Sequence, residues 1–590
     1  MTQDTNALLL KRQQSIKRMQ RKLIPSLLAG FSLPVTLFLY GPFDLFAQNR
    51  AEFSFTLYDF LLPCILLTLA VGIVLSVIPL LLRRTAYRLY TAILFWVSVM
   101  LFLQGSYLNF GYTALTGDGV TEAAPTSLVV INALIWLVTL VATVVCVLKI
   151  KPVRKNLKTV VSLGLALVLF MECVGAVAVS FKDGVFADKQ DVLSGENGSM
   201  GSKMLTSENL TTLSKNGNVV VFVVDRFDAS YYKKIVSGAP ELLSELDGFT
   251  YYSDHTSLYP RTFPAVTYML TGKEKGGDVD RLDYFKDAYS DAENLRHLDE
   301  NGYGINIYTT DYYAYDNASV MSEYAQNVSS YDEITISDKG ALFGSMIAFS
   351  AYRYLPFFLK ETVDFISTAT FSELVEFSSS SEWEKYSTDN KYVYERLTSE
   401  DFSLTDEAGR YTFLHIDGCH APSRYDAEFN EVDGGNSKIL DMAAQSFAII
   451  NRYIREMKRL GVYDDATVII TGDHAAAISD SKPVEGARVT TLLLKPSGSY
   501  EGGITESTAP TCQEDLWRTV FSSEGIDVPE SCVGEDLLNI SEDTVRTRRY
   551  VFHRMNGDTA EEITYEIVGN ANDFSNWKIV SRKEIQRIYN

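Results

Sequence analysis

Cysteine and histidine are scarce, with six of each in 590 residues, and basic charge runs short over the last two thirds of the chain. Six cysteines build no disulfide framework. Cys64, Cys146 and Cys173 lie in long apolar runs, where cysteine is an ordinary small hydrophobe. Of the other three, Cys512 and Cys532 are the pair an oxidising compartment could join. Through Lys182 there are 16 Lys+Arg against 7 Asp+Glu, whereas the remainder carries 37 against 67. Such an acid excess excludes nucleic acid or another polyanion as partner, because phosphate backbones are held by basic stripes. No internal repeat occurs. The first apolar run lacks a small-residue cleavage site and is too long for a signal-peptide core, so it reads as retained.

Long hydrophobic runs, in contrast, are plentiful. About 20 mostly apolar residues cross the hydrocarbon core of a bilayer. Five stretches qualify: Leu23–Phe46, Phe60–Leu82, Tyr87–Phe110, Ser127–Ile150 and Leu157–Phe181. The N-terminal tail carries Lys11, Arg12, Lys17, Arg18, Arg21 and Lys22; the second loop Arg83, Arg84 and Arg88; the fourth Lys149, Lys151, Arg154, Lys155 and Lys158. The first loop has only Arg50 and the third has no Lys or Arg. Positive loops stay inside, so the expectation is a multi-pass cell-membrane protein with its N-terminus cytoplasmic and everything after Phe181 outside. Glu172, inside the fifth run, is either a functional intramembrane acid or a carboxyl satisfied by a neighbouring helix.

Four segments follow from these patterns: a membrane domain of five helices over 1–181, a linker over 182–216, an extracytoplasmic catalytic domain over 217–545, and a β-rich extension over 546–590. The linker is rich in Asp, Ser, Gly, Asn and Lys without periodicity. Beyond it, Asn218–Val224 (NVVVFVV) is a strand buried on both faces, and Ile305–Thr310, Tyr411–Ile416, Thr467–Thr471 and Val489–Leu494 resemble it. A helical pattern runs over 437–460 and stops at Gly461. Strands alternating with helices predict an α/β sandwich with a mostly parallel central sheet, whose ligands bind beyond the carboxyl ends of the strands. Ala341–Lys360, apolar and aromatic around Arg353 and Pro356, fits either a membrane-surface helix or a buried core helix.

Chemistry-bearing residues gather where these strands end. VVFVVDRFD places Asp225 at the tip of the most buried strand, TVIITGDHAA does the same for Asp473 and His474, and FLHIDGCHAPSRYD brings His415 and His420 to another tip. In PRTFPAVTYMLTG, Pro264 suits the first turn of a helix and Gly272 its end, which puts Thr262 at a helix N-terminus. Two carboxylates, an imidazole and a hydroxyl suit a hard or borderline divalent metal. A metal on the hydroxyl oxygen would lower its pKa and make it a nucleophile, and Arg261 could neutralise an anionic substrate oxygen. The neighbours have competing readings. His415 and Asp417 serve the strand end or the site, His255 reads as structural, and Cys419 is a weaker nucleophile candidate than Thr262. The tyrosines Tyr308, Tyr312, Tyr313 and Tyr315 read as packing or as cleft lining.

On these motifs the outer half, roughly 217–540, resembles the alkaline phosphatase/sulfatase superfamily. Asp225 matches the first metal-binding acid, TFPAVTYMLTG the nucleophile motif with Thr262 in the nucleophile position, and Asp473-His474 the late metal pair. GARVTTLLLKP and EDLWRTVFSSEGIDVPESCVGEDLL look like the segments that follow that pair in sulfatases. Five spans and then this domain is a plan similar to lipoteichoic acid synthases and phosphoethanolamine transferases, and GCHAP resembles the latter's GSHGP, whose histidine contacts the phosphoryl group. Thr262, Pro264 and Val266 stand where a sulfatase has Cys or Ser, Pro and Arg, which disfavours sulfatase chemistry; Arg226 replaces a second acid, which points to one metal. The resemblance implies a single divalent ion, manganese ahead of zinc or magnesium, held by Asp225, Thr262, Asp473 and His474, with Thr262, His420 and Arg261 catalytic. It also implies a membrane phospholipid donor and a cell-envelope glycan or polymer acceptor, with phosphoglycerol ahead of phosphoethanolamine as head group, or water as acceptor in a phosphodiesterase.

Overall fold

The computed structural model describes residues 19–20, 22–50, 53–109, 126–182, 184–194, 203–277, 279, 281–310, 318–360, 371, 374–378, 384–420, 424–432, 438–475, 489–498, 502–556 and 559–586. Contacts divide the chain into two compact units, one of 1–201 with 332–378, the other of 202–331 with 379–588. Tyr312, Tyr313 and Tyr315 lie outside the described residues.

In the first unit, five helices among the described residues are long and apolar enough to cross a membrane: α1 (Lys22–Gln48), α2 (Leu61–Leu81), α3 (Arg84–Leu108), α4 (Thr126–Lys149) and α5 (Lys151–Val179). They match the predicted runs. Only α5 starts clearly earlier than predicted, because Pro152 fits its first turn and the Lys and Arg that follow are good helix formers. Glu172 meets a neighbouring helix: its Oε1 accepts the Thr36 hydroxyl of α1 at 2.6 Å, while its buried Oε2 accepts no hydrogen bond among the described residues. Two helices contain π-helical stretches, Val35–Tyr40 in α1 and Gln104–Leu108 in α3.

The 332–378 segment packs with these helices, within a stretch the sequence reading kept in the catalytic domain. Its ends pair as an antiparallel hairpin, Glu333–Ile336 with Val375–Ser378. Between them runs the inserted helix Lys339–Tyr354, capped by Asp338 on the Ala341 amide. Leu342, Met346, Phe349 and Tyr354 are buried. Arg353 pairs with Asp44 of α1 at 2.8 Å, Ser350 donates to the Leu37 carbonyl in the π-helical stretch, and Asn109 donates to the Arg353 carbonyl. So the helix within Ala341–Lys360 buries one face against the span helices of the first unit and is not a core helix of the α/β unit.

The second unit is built on a seven-stranded sheet. Its strands are β1 (Asn218–Val224), β2 (Thr250–Tyr252), β3 (Tyr303–Tyr308), β4 (Gly409–Ile416), β5 (Ala466–Thr471), β6 (Leu492–Lys495) and β7 (Thr505–Ser507). The order is β7-β2-β6-β5-β1-β4-β3. Every neighbouring pair is parallel except those of β6 with β5 and β2, so β6 alone runs against the rest. The predicted α/β class is thus observed, with β6 the antiparallel exception among strands that all look alike in sequence. Residues of β1, β3, β4 and β5 are buried throughout, as continuous apolar runs require when both faces are covered. Helix Ile439–Leu460 covers one face through Phe447, Ile450, Tyr453 and Met457.

Residues 203–214, read as linker, instead carry two strands of this unit: Lys203–Leu205 pairs with Val328–Ser330 and Thr212–Ser214 with Ser403–Thr405. The extension forms its own antiparallel sheet of β8 (Thr547–Asn556), β9 (Thr559–Val568) and β10 (Trp577–Gln586) and not extra edge strands of the central one.

Candidate metal-dependent active site

Parallel pairing brings strand ends to a common edge. Val224 of β1 stands in register with Ile416 of β4, and Val223 with Thr471 of β5. The residues that follow therefore emerge together: Asp225 after β1, Asp417–His420 after β4, Gly472–His474 after β5. Asp225, Asp473 and His474 offer ligand atoms within 4.8 Å of one another, and all three are buried. Thr262 completes the group. Its Oγ1 lies 3.4 Å from Asp225 Oδ2 and 3.3 Å from His474 Nε2.

The protein's own hydrogen bonds leave the right atoms over for a cation. Asp473 Oδ1 accepts the amides of Arg226 (2.9 Å) and His474 (2.8 Å), while Oδ2 is buried and accepts no hydrogen bond among the described residues. His474 Nδ1 lies 2.6 Å from the Ala475 carbonyl, which can only accept, so Nδ1 carries the proton and Nε2 presents a lone pair. That Nε2 stands 3.7 Å from Asp225 and 3.5 Å from Asp473. Burying two carboxylates costs several kcal/mol per ion without compensation, which a divalent cation at their convergence would provide. The residues present fit such an ion, with Asp225, Asp473, His474 and Thr262 as its holders.

Local sequence explains each placement. The regular part of helix α6 (Thr262–Thr271) begins at Pro264, because Phe263 is non-helical (φ −91°, ψ 123°), the conformation a residue before proline favours. Thr262 thus stands at the N-terminus of the helix, just before its first regular turn, as expected, and Gly272 ends the helix at φ +72°. Gly418 has a φ of +58°, and a Cβ there would stand 2.6 Å from the Asp225 amide nitrogen. Only glycine lets the loop after β4 fold back so that Cys419 N–H bonds the Asp225 carbonyl.

His420 is half-buried on that loop, outside the converging ligand atoms, with its amide on the Asp417 carbonyl. Arg261 caps α6, and its charge acts on Tyr550. Asp417 accepts the Thr388 hydroxyl, and Tyr308 donates to the Glu208 carbonyl within the core. Buried His255 faces the Thr511 hydroxyl, and burial holds it down to about 3. Burial likewise holds His415 down to about 4, against Asp473 and with help from His474 and His420; its Nδ1 faces Thr309 Oγ1. Burial pushes the Cys419 thiol up to about 12, with Asp225 and Asp228 adding, which removes it as a nucleophile. Cys512 and Cys532 are free thiols.

Two residues escaped the sequence reading. Gln513 is buried and spans the site's support: its Nε2 donates to the Asp473 carbonyl at 2.6 Å and its Oε1 accepts the Leu258 amide. Nothing in TCQED marks it. Arg226, read only as a missing acid, holds Asp473 through its amide with a φ of +58°, a left-handed conformation costing a non-glycine residue roughly 1–2 kcal/mol. A cation directly after a strand-end acid was the available signal.

No family model and no curated protein matches the chain. Solved structures similar to it include alkaline phosphatase/sulfatase superfamily members. The lipoteichoic acid synthase LtaP from Listeria monocytogenes is 14% identical over 62% of this chain and 86% of that one, with a TM-score of 0.34. An alkaline phosphatase superfamily protein from Vibrio parahaemolyticus is 14% identical over 68% and 92%, at 0.36. Phosphonate monoester hydrolase SpPMH from Silicibacter pomeroyi is 13% identical over 63% and 89%, at 0.33.

Proposed function

We propose that this chain is a metal-dependent transferase that moves a phosphoglycerol-type head group from a membrane phospholipid to a cell-envelope glycan or polymer. The observation that carries the reading is the Thr262 hydroxyl, 3.4 Å from Asp225 Oδ2 and 3.3 Å from His474 Nε2 within a buried Asp-Asp-His group. Asp225, Asp473, His474 and Thr262 would hold a divalent cation, manganese by preference, which would lower the hydroxyl's pKa and offset charge on phosphoryl oxygens. Thr262 Oγ1, having lost its proton to solvent, attacks the phosphorus of the lipid's phosphodiester. The bond from phosphorus to the diacylglycerol oxygen breaks, and His420 supplies the proton which that oxygen takes. The head-group phosphate stays on Thr262. An acceptor hydroxyl then gives its proton to His420 and attacks phosphorus, and the bond to Thr262 breaks.

The five spans support a reaction at a membrane, where the donor is concentrated, and the alternation of basic and non-basic loops supports a catalytic unit outside it. Full-length protein in vesicles of phosphatidylglycerol and phosphatidylethanolamine, with manganese, tests the reading. Mass spectrometry of the peptide containing Thr262 should show a phosphoglycerol adduct in wild type that is absent from Thr262→Ala and after chelation. A phosphoethanolamine adduct would reassign the donor, and free head group without transfer to an added polyol would make the enzyme a phosphodiesterase. If wild type forms no adduct and releases no head group, the reading is wrong.

A further inference from the structure

We propose that Arg226 is the cation that holds the anionic oxygens of the ester attacked by Thr262, so that the site selects a substrate charged at the transferred atom. This rests on the reading of Thr262 given above. Arg226 directly follows Asp225 at the tip of β1, and its amide already binds Asp473 Oδ1 at 2.9 Å. Its guanidinium does something no structural arginine nearby does. Among the described residues it makes no hydrogen bond and no ion pair, although its Nε is buried. Elsewhere in the same unit Arg410 pairs with Glu407, Arg452 with Glu456, Arg546 with Asp515 and Arg548 with Asp254. Where carboxylates outnumber bases 67 to 37 beyond Lys182, an arginine beside the metal group without a counter-charge has its fork available for an incoming anion.

Charge balance calls for such a group. A divalent cation with Asp225 and Asp473 sums to zero, so a deprotonated Thr262 and a phosphodiester monoanion bring two negative charges that the ligand set does not offset. Arg226 is placed to take up one. The loop carrying Cys419 and His420 folds against Asp225, the residue before Arg226, through the Cys419 amide on the Asp225 carbonyl.

The test uses the full-length protein in detergent with manganese bound, and inorganic phosphate as the probe. Arg226→Gly removes the guanidinium while keeping the amide to Asp473 and tolerating the left-handed backbone; Arg226→Ala shares the deletion but keeps the strain. Titration calorimetry should give manganese affinity within twofold of wild type for Arg226→Gly, phosphate affinity at least tenfold weaker in both variants, and an intermediate value for Arg226→Lys. Phosphate affinity unchanged in Arg226→Gly, or no phosphate binding by wild type, overturns the proposal. So does loss of manganese from Arg226→Gly, which would make Arg226 a support for Asp473 only. Weakened phosphate binding in the variants of a wild type that forms no Thr262 adduct sinks the transfer reading and leaves the anion site standing.

Discussion

Burial decides what the histidines can do. His255 and His415 are held neutral in the fold, at about 3 and about 4, while in the unfolded chain histidine titrates near 6.5. Between those values the unfolded chain binds more protons, so stability must fall as pH drops from about 6.5 towards 4, and these two groups add no pH dependence above 6.5. Each contributes a slope of up to about 1.4 kcal/mol per pH unit. The unfolding midpoint of the detergent-solubilised protein, followed from pH 7.5 to 5.5, should decline below 6.5, and His255→Gln should remove about half of that slope. A flat profile through this window contradicts the burial assigned to both rings. His474 differs from them in its Nδ1 partner, the Ala475 carbonyl where His255 and His415 face threonine hydroxyls, which leaves its Nε2 free to face Asp225 and Asp473.

At the level of elements, the residues legible in sequence were those on long periodic runs. Five spans, strands β1, β3, β4 and β5 and the helix ended by Gly461 all declare themselves, and with them the strand-end residues Asp225, Asp473 and His474. Strands β2 and β7 are three residues each, too short for any period, and β6 looks like its parallel neighbours because pairing direction leaves no mark on a buried apolar run. The inserted helix was ambiguous for a different reason: an apolar face says that something covers it, not what. Its cover is the π-helical socket of α1 and α3. A Cβ at Gly41 would collide with the Ser350 hydroxyl, and one at Gly105 with the Tyr354 ring. Gly105→Ala should therefore displace Tyr354 and destabilise the first unit by about 1–3 kcal/mol, the usual range for overpacking. Thermal unfolding in detergent checks it: Gly344→Ala, where a Cβ meets nothing within 4 Å, should leave the midpoint where it is or raise it slightly.

For the molecule as a whole, covalent order and compact units do not coincide, which bears on how the second unit can be isolated. Cutting the chain after the spans leaves 332–378 attached to the second unit without the partners of Tyr354, which packs with Met100, Leu101 and Trp136, and of Phe349, which packs with Phe53. The ring cluster of Phe349 and Phe371 with Phe53 loses the member from the α1–α2 loop. A chain of 202–588 thus exposes a contiguous apolar face of the kind that drives association. The insertion can be removed cleanly because its ends meet: the Asp332 amide bonds the Ser378 carbonyl at 2.9 Å, so a short Gly-Ser bridge can replace 332–378. Size-exclusion chromatography should show 202–588 aggregating or bound to detergent, and the bridged chain lacking 332–378 monodisperse without it. Both should bind manganese with the same affinity, since Asp225, Thr262, Asp473 and His474 all belong to the second unit. If the bridged chain aggregates as badly as 202–588, the 332–378 insertion is not what makes the truncated chain associate.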